Sequence, residues 1–112
     1  MRELSSYDKF EIEMLKNDRE LAVLYMGDAM ASLNNPDERG AALLALRSLA
    51  QAYGGLGKIA AEAGISREAL YRALSPKGNP TLKTLLAVLR SVGMRLSVEP
   101  VPAEETMEAA AC

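Results

Sequence analysis

Apolar residues recur every three to four positions along residues 7–53, which is the spacing of helices that bury one face. We predict three helices there. The first is short, and its apolar side carries Tyr7, Phe10 and Met14. The second begins after a capping box of Asn17 and Glu20 and buries Leu21, Leu24, Tyr25, Ala29 and Leu33. The third begins at Pro36 with Glu38 as its box partner, buries Leu43, Leu46, Leu49 or Ala50, and Tyr53, and ends at Gly54 and Gly55.

Residues 56–74, LGKIAAEAGISREALYRAL, keep the helical spacing on both sides of Gly64. A glycine can adopt the positive φ that a tight turn between two helices requires. Ser66 is a good N-cap for a second helix that starts at Arg67. An Ala at position 60, a Gly four residues later and an aliphatic Leu70 form the pattern of a helix-turn-helix.

In a helix-turn-helix the second helix lies in the DNA major groove, and its exposed residues here are predicted to be Arg67, Glu68, Tyr71 and Arg72. Guanidinium groups suit guanine edges or phosphates, and a tyrosine can contact a phosphate or a thymine methyl group. The alternative is a helical hairpin inside a bundle, with arginines that are merely solvated. The full set of candidate DNA-binding residues is Ser66, Arg67, Glu68, Tyr71, Arg72, Lys77, Asn79 and Thr81.

The segment SPKGNP at residues 75–80 has the composition of a loop, and Asn79 or Thr81 caps a last helix with Leu82, Leu85, Leu86 and Leu89 on its apolar side. The period then changes to two. Apolar residues at 94, 96 and 98 alternate with polar ones, which predicts a short β-strand at residues 94–99. A lone strand has no mate in its own chain, so we expect it to pair across a homodimer. We expect disorder in the Pro-, Glu- and Ala-rich tail, 101–112.

The chain has 112 residues, which suffices for one domain with a modest core. Without histidine, and with its only cysteine at Cys112, it has no ligand set for a zinc finger and no cysteines for a disulfide framework. No cofactor or metal site is predicted. The longest apolar stretches are broken by polar residues and no export signal is evident, so we expect a cytoplasmic protein that does not enter membranes.

The net charge of −2 is unevenly distributed. Residues 1–40 hold five basic and nine acidic residues. Residues 41–100 hold eight basic and three acidic residues, and residues 101–112 hold three acidic residues and no basic ones. The basic block contains the helix-turn-helix pattern, which favours contact with phosphate at that end of the chain.

The run GKIAAEAGISREALYRALSPKGNPTLKTLLAVLRSVGMRLSVEP resembles the C-terminal part of HigA-like addiction-module antidote proteins, which are antitoxins with a Cro/C1-type helix-turn-helix. The resemblance is carried by Ala60, Gly64, Ser66, Leu70, Leu74, the loop at 75–80, the Leu-rich helix and the terminal strand. Tyr7, Leu15 and ELAVLYMGDAM at 20–30 resemble the opening helices of that family. The acidic, Ala-rich tail departs from it.

The resemblance implies a mainly α fold of five to six helices with a short C-terminal strand. We expect a single domain over 1–100, made of N-terminal helices at 7–53, a helix-turn-helix with its packing helix at 56–92, and the strand. The resemblance also implies repression of the protein's own operon by binding double-stranded operator DNA, and neutralisation of a RelE-like toxin, usually a ribosome-dependent mRNA nuclease. We expect toxin recognition in residues 7–35, because an acidic N-terminal region suits a basic toxin. The alternative is that these carboxylates only form a solvated helix face.

Two other classes of function stay open. A free-standing transcriptional regulator would share every residue discussed above with an antitoxin. A toxin gene next to the gene for this chain would favour the antitoxin. A helical interaction module would show no salt-dependent binding to DNA. An enzyme is disfavoured, because Ser66, Tyr71, Lys77 and the scattered carboxylates form no recognisable nucleophile and base pair.

Overall fold

The computed structural model of the chain describes residues 4–103. Within that range six helices follow one another: α1 (Ser6–Asn17), α2 (Arg19–Ser32), α3 (Arg39–Ala52), α4 (Leu56–Ala63), α5 (Arg67–Ala73) and α6 (Leu82–Ser91). The predicted mainly helical fold is confirmed. Not one of the helices between residues 4 and 103 has the length and apolar character to cross a membrane. Most of the predicted tail, from residue 104 onward, lies outside the described residues.

Side-chain caps determine where the first two helices begin. Ser5 and Asp8 form a reciprocal capping box at the start of α1. At the start of α2 the side chain of Asp18 accepts a hydrogen bond from the Leu21 N–H at 3.0 Å. The predicted box of Asn17 and Glu20 is therefore wrong by one residue, because Asp18 offers a carboxylate at the position where the chain enters the helix.

Helix α3 begins three residues later than predicted. Pro36 and Glu38 do not open it. The first helical residue is Arg39, and the side chain of Glu38, at the N-cap, accepts no hydrogen bond from the backbone of the helix. The side chain of Asn35 accepts a hydrogen bond from the Asp37 N–H at 2.9 Å and donates one to the Glu38 carboxylate at 2.7 Å. These local bonds stabilise a turn in place of a first helical turn.

Helix α3 lies at the centre of the fold and packs against α1, α2, α4 and α6. Its predicted buried face is confirmed at Leu43, Leu46, Leu49 and Ala50, which are fully enclosed, whereas Tyr53 at the C-cap is only partly buried. The other helices and their C-caps contribute Leu15, Ala22, Met26, Ala29, Leu56, Ile59, Ala60, Ala63, Leu70, Leu74, Ala87, Val88, Leu89 and Val92 to the same core.

The predicted buried face of α1 is wrong, and that of α2 is wrong at Leu24 alone, since Ala29 is buried and Leu21, Tyr25 and Leu33 pack against the core. Helix α1 turns Leu15 into the core, which leaves Tyr7, Phe10 and Met14 exposed. Helix α2 buries Ala22, Met26 and Ala29, whose small or flexible side chains let it approach α3 closely, and Leu24 is 68% exposed. Apolar spacing identifies a helix, but packing decides which of two possible faces is covered.

The predicted apolar side of α6 is confirmed in part. Leu89 is buried and Leu85 packs against the core, but Leu82 and Leu86 are exposed, and Thr84, Ala87 and Val88 are buried in addition. Thr84 tolerates burial because its hydroxyl accepts a hydrogen bond from the Thr81 hydroxyl at 3.1 Å.

Residues 94–99 do not form the predicted β-strand, and the structure shows no strand between residues 4 and 103. The Met94 N–H donates to the Leu89 carbonyl at 2.8 Å, which closes the end of α6, and residues 95–102 have no regular secondary structure. A strand is stable only beside a second strand that completes its hydrogen-bond ladder. Alternation of apolar and polar residues in one segment does not supply that second strand.

The core can be tested with Leu24 and Leu49, which the sequence pattern predicts to be buried in the same way. Leu49→Ala should lower the free energy of unfolding by about 2–5 kcal/mol, because it leaves a cavity in the face of α3. Leu24→Ala should change it by less than about 0.5 kcal/mol, because that side chain is already in water. Urea denaturation followed by circular dichroism measures both. Equal losses would show that Leu24 belongs to the core.

Candidate nucleic-acid interface

Helices α4 and α5 are joined by a tight turn whose geometry agrees with the predicted one. Gly64 adopts a left-handed conformation with φ 72° and ψ 29°, and the Ile65 N–H donates to the Ala60 carbonyl at 3.0 Å. Ser66 caps α5, since its hydroxyl oxygen accepts a hydrogen bond from the Ala69 N–H at 3.0 Å. Ala60 and Leu70 are buried, so the turn holds two packed helices at a defined angle.

The outer face of α5 carries charged side chains. Arg67, Glu68 and Arg72 are exposed, as predicted. Tyr71, predicted to be exposed as well, is half-buried and packs against the core. The guanidinium carbon of Arg47, on α3, lies 4.2 Å from the centre of the Tyr71 ring, close enough for a cation–π contact. One face of this ring is therefore already occupied within the protein.

Arg47 also connects α3 to the loop that follows α5. Its guanidinium donates to the Ser75 hydroxyl oxygen at 3.2 Å, and that hydroxyl donates to the Tyr71 carbonyl at 2.7 Å. One arginine thus ties the last turn of α5 and the start of the loop to the central helix. Sequence reasoning missed this contact, because nothing in the local pattern links an arginine on α3 with a residue 28 positions away.

The loop 75–80 is shaped by Gly78. Its N–H donates to the Ser75 carbonyl at 2.7 Å. A Cβ at this position would overlap the backbone carbonyl of Ala73, so only glycine fits. The loop projects the exposed side chain of Lys77 beyond the end of α5.

At the start of α6 the two predicted residues have different environments. The Thr81 hydroxyl caps the helix by accepting the Thr84 N–H at 3.1 Å, whereas Asn79 is exposed in the loop. Lys83 was not among the predicted DNA-binding residues. Its ammonium lies beside the α4–α5 turn, because Nζ is 3.3 Å from the position that a Cβ on Gly64 would take. Lys83 could have been found in the sequence as the lysine in the first turn of the helix that follows the loop.

Arg67 also borders a groove of about 500 Å³ between α1, α3 and α5. Tyr7, Asp8 and Glu11 line it on the α1 side. Burial raises the pKa of Tyr25 in this groove well above its usual value, and a hydrogen bond with Glu11 and the charge of that carboxylate raise it further. A tyrosine phenol is already protonated at neutral pH, and the raised pKa keeps the Tyr25 phenol protonated in alkaline solution as well, next to the carboxylate of Glu11.

These features define a class of protein: a small helical domain in which a short helix, held by a glycine turn and an arginine anchor, presents basic residues to solvent. A family model described as "Probable addiction module antidote protein" matches residues 6–100. The chain belongs to this family.

An uncharacterised protein of Haemophilus influenzae is 44% identical to the chain over 57 residues. That match covers 51% of this chain and 58% of the relative, so the similarity spans little more than half of the relative's length. No solved structure matches the chain significantly.

The loop after α5 can be tested with two glycines. Gly78→Ala should lower the free energy of unfolding by more than about 1 kcal/mol, because the added methyl group meets the Ala73 carbonyl. Gly57→Ala is the matched control. Gly57 lies in α4 with open space around it, so alanine should be neutral or stabilise by up to about 1 kcal/mol. A thermal melt of each variant measures the difference. A Gly78→Ala variant as stable as the unchanged protein would contradict the described loop.

Proposed function

We propose that the chain is a cytoplasmic, HigA-like antitoxin of a type II toxin–antitoxin module. In this proposal it binds operator DNA through a Cro/C1-type helix-turn-helix, represses its own operon as a homodimer and neutralises a RelE-like toxin. Membership in an antidote family supports a toxin partner in general. The observation that carries DNA binding is the exposed charged face of α5 behind the Gly64 turn.

In the proposed complex α5 enters the major groove. Arg67, in its first turn, and Arg72, in its last, contact guanine edges or phosphates, and Glu68 accepts a hydrogen bond from cytosine. Ser66 keeps its hydroxyl for the helix cap, so its role is to orient the first turn. We assign Tyr71 a positioning role as well, because Arg47 covers one face of its ring.

Phosphate contacts are supplied around α5. Lys77 in the loop and Lys83 beside the turn are placed to neutralise backbone phosphates, and Asn79 can donate from its amide. Thr81 uses its hydroxyl as a cap, so its contribution is to order the N–H groups at the start of α6, which favour an anion. The surplus of basic residues in 41–100 strengthens this attraction at low salt.

A homodimer is proposed because a single reading helix contacts only a few base pairs. Two copies can place two such helices about 34 Å apart, on successive turns of a palindromic site. The segment after α6 offers a surface for pairing, since Leu96, Val98 and Val101 expose apolar side chains there. Sedimentation of the purified protein measures its oligomeric state.

The DNA-reading role is tested by binding to the DNA upstream of the protein's own gene, compared with a random duplex. Arg67→Ala and Arg72→Ala should each weaken binding to the specific site by about 1–3 kcal/mol and affect random DNA less. Lys77→Ala should weaken both duplexes alike and flatten the salt dependence. Lys16→Ala removes the same charge from α1 and serves as the control, with little expected change.

Equal losses on both duplexes for the two arginines would make them phosphate contacts. Absence of salt-dependent binding to any duplex would reject the DNA-binding proposal. A free-standing regulator would bind DNA in the same way but form no complex with the protein encoded by the adjacent gene.

A further inference from the structure

Helix α1 exposes three large apolar side chains on one side. Tyr7 is 70% exposed, Phe10 64% and Met14 44%, and we call these three residues the α1 stripe. They follow one another at intervals of three and four residues, so they lie above one another along the helix. A contiguous apolar surface of this kind in a small protein marks an interaction site more often than a chance exposure.

Carboxylates lie beside the α1 stripe at both ends. Phe10 and Met14 line a shallow depression of about 320 Å³ whose other walls include Glu13 and Asp18. At the opposite end, Tyr7 lines the groove described above together with Glu11. Arg47 and Arg67 stand on the far side of that groove, on α3 and α5, and Arg47 is already engaged over the Tyr71 ring. The carboxylates next to the stripe therefore belong to α1 and to the start of α2.

The lysines of α1 point elsewhere. With about 100° of rotation per residue, Lys9 and Lys16 project more than about 130° away from the centre of the stripe. Both lysines are helical neighbours of Glu13 and partly offset its charge, whereas Glu11 has no lysine three or four residues away on α1. The surface thus combines an apolar centre with a rim that is net acidic on α1.

Two of these carboxylates are restricted in position. The half-buried Tyr25 in the groove hydrogen-bonds with Glu11, and Glu13 accepts a hydrogen bond from the Asn17 side chain at 3.3 Å. A carboxylate whose position is already restricted loses less conformational entropy when it pairs with a cation.

We propose that the α1 stripe is the docking surface for the toxin, and that it takes a basic amphipathic segment of that partner. This inference rests on the proposed function and narrows the toxin site from residues 7–35 to one side of α1. The apolar side of the incoming segment covers Tyr7, Phe10 and Met14, while its lysines or arginines meet Glu11, Glu13 and Asp18.

Charge complementarity favours this occupant over a second copy of the chain. A protein that cleaves mRNA must hold a phosphate backbone and therefore carries a basic surface. In a two-fold pair of α1 stripes, by contrast, each copy would place its acidic border against that of the other, which is unfavourable.

The test measures the affinity of the full-length chain for its probe, which is the protein encoded by the adjacent gene. Phe10→Lys should weaken their complex at least tenfold, because it removes the central apolar contact and adds a charge that repels a basic partner. Leu82→Lys is the matched control: Leu82 is 62% exposed and lies on α6, and the substitution adds the same charge. Its complex should keep the original affinity, and both variants should keep the helical content of the unchanged protein.

A second variant tests the acidic border. Glu11→Gln keeps the size of the side chain and removes its charge, so it should slow association and reduce the dependence of affinity on salt. Glu62→Gln, on α4, is the control for a carboxylate outside the stripe. Equal association rates for the two variants would count against a cationic partner at Glu11.

The outcomes separate the inference from the proposed function. If the unchanged chain forms no complex with the neighbouring protein, the toxin-binding function fails and the inference with it. If the complex forms and Phe10→Lys binds as tightly as Leu82→Lys, the function stands and the α1 stripe is not the site. If Phe10→Lys instead converts a dimer to a monomer in sedimentation, a second copy covers the stripe and the inference is overturned.

Discussion

The enclosed face of α3 is the constraint on which the rest of the molecule depends. Leu43, Leu46 and Leu49 are almost fully withdrawn from water, and the helix touches α1, α2, α4 and α6. In a chain of 112 residues the core is small, so burying these side chains provides a large share of the free energy that orders the other helices. Helices α1 and α2 are oriented by the face that they turn towards α3, and α4, which also packs on α3, positions α5 and α6.

The same helix also positions the candidate DNA-reading element. Helix α5 has only seven residues, which is too short to be stable by itself. Its buried Leu70, the Ser66 cap and the contacts of Arg47 with Tyr71 and Ser75 hold it against the core. Because α1 packs on another part of α3, the two candidate interaction surfaces share one rigid support. The groove beside Arg67 is where they come closest.

Local features were predictable from the sequence. The turn at Gly64, the Ser66 cap and the face of α3 follow from residue chemistry and a helical period that a single segment contains. The exposed side chains of α1 were not predictable, because periodicity shows that a helix has an apolar side but not whether another element covers it. Thr84 is buried and Leu82 exposed for a related reason, since packing against α4 determines the rotation of α6. The Arg47 contacts join residues far apart in the chain, and no local pattern encodes them.

We propose that α5 and the loop after it form the surface that meets DNA. Backbone amide chemical shifts of the labelled protein, recorded with and without a duplex from upstream of its own gene, locate that surface residue by residue. We expect the largest changes at Ser66, Arg67, Arg72 and Lys77, with the exposed side of α1 at Phe10 and Met14 unchanged. Changes concentrated on α1, with α5 unaffected, would contradict it.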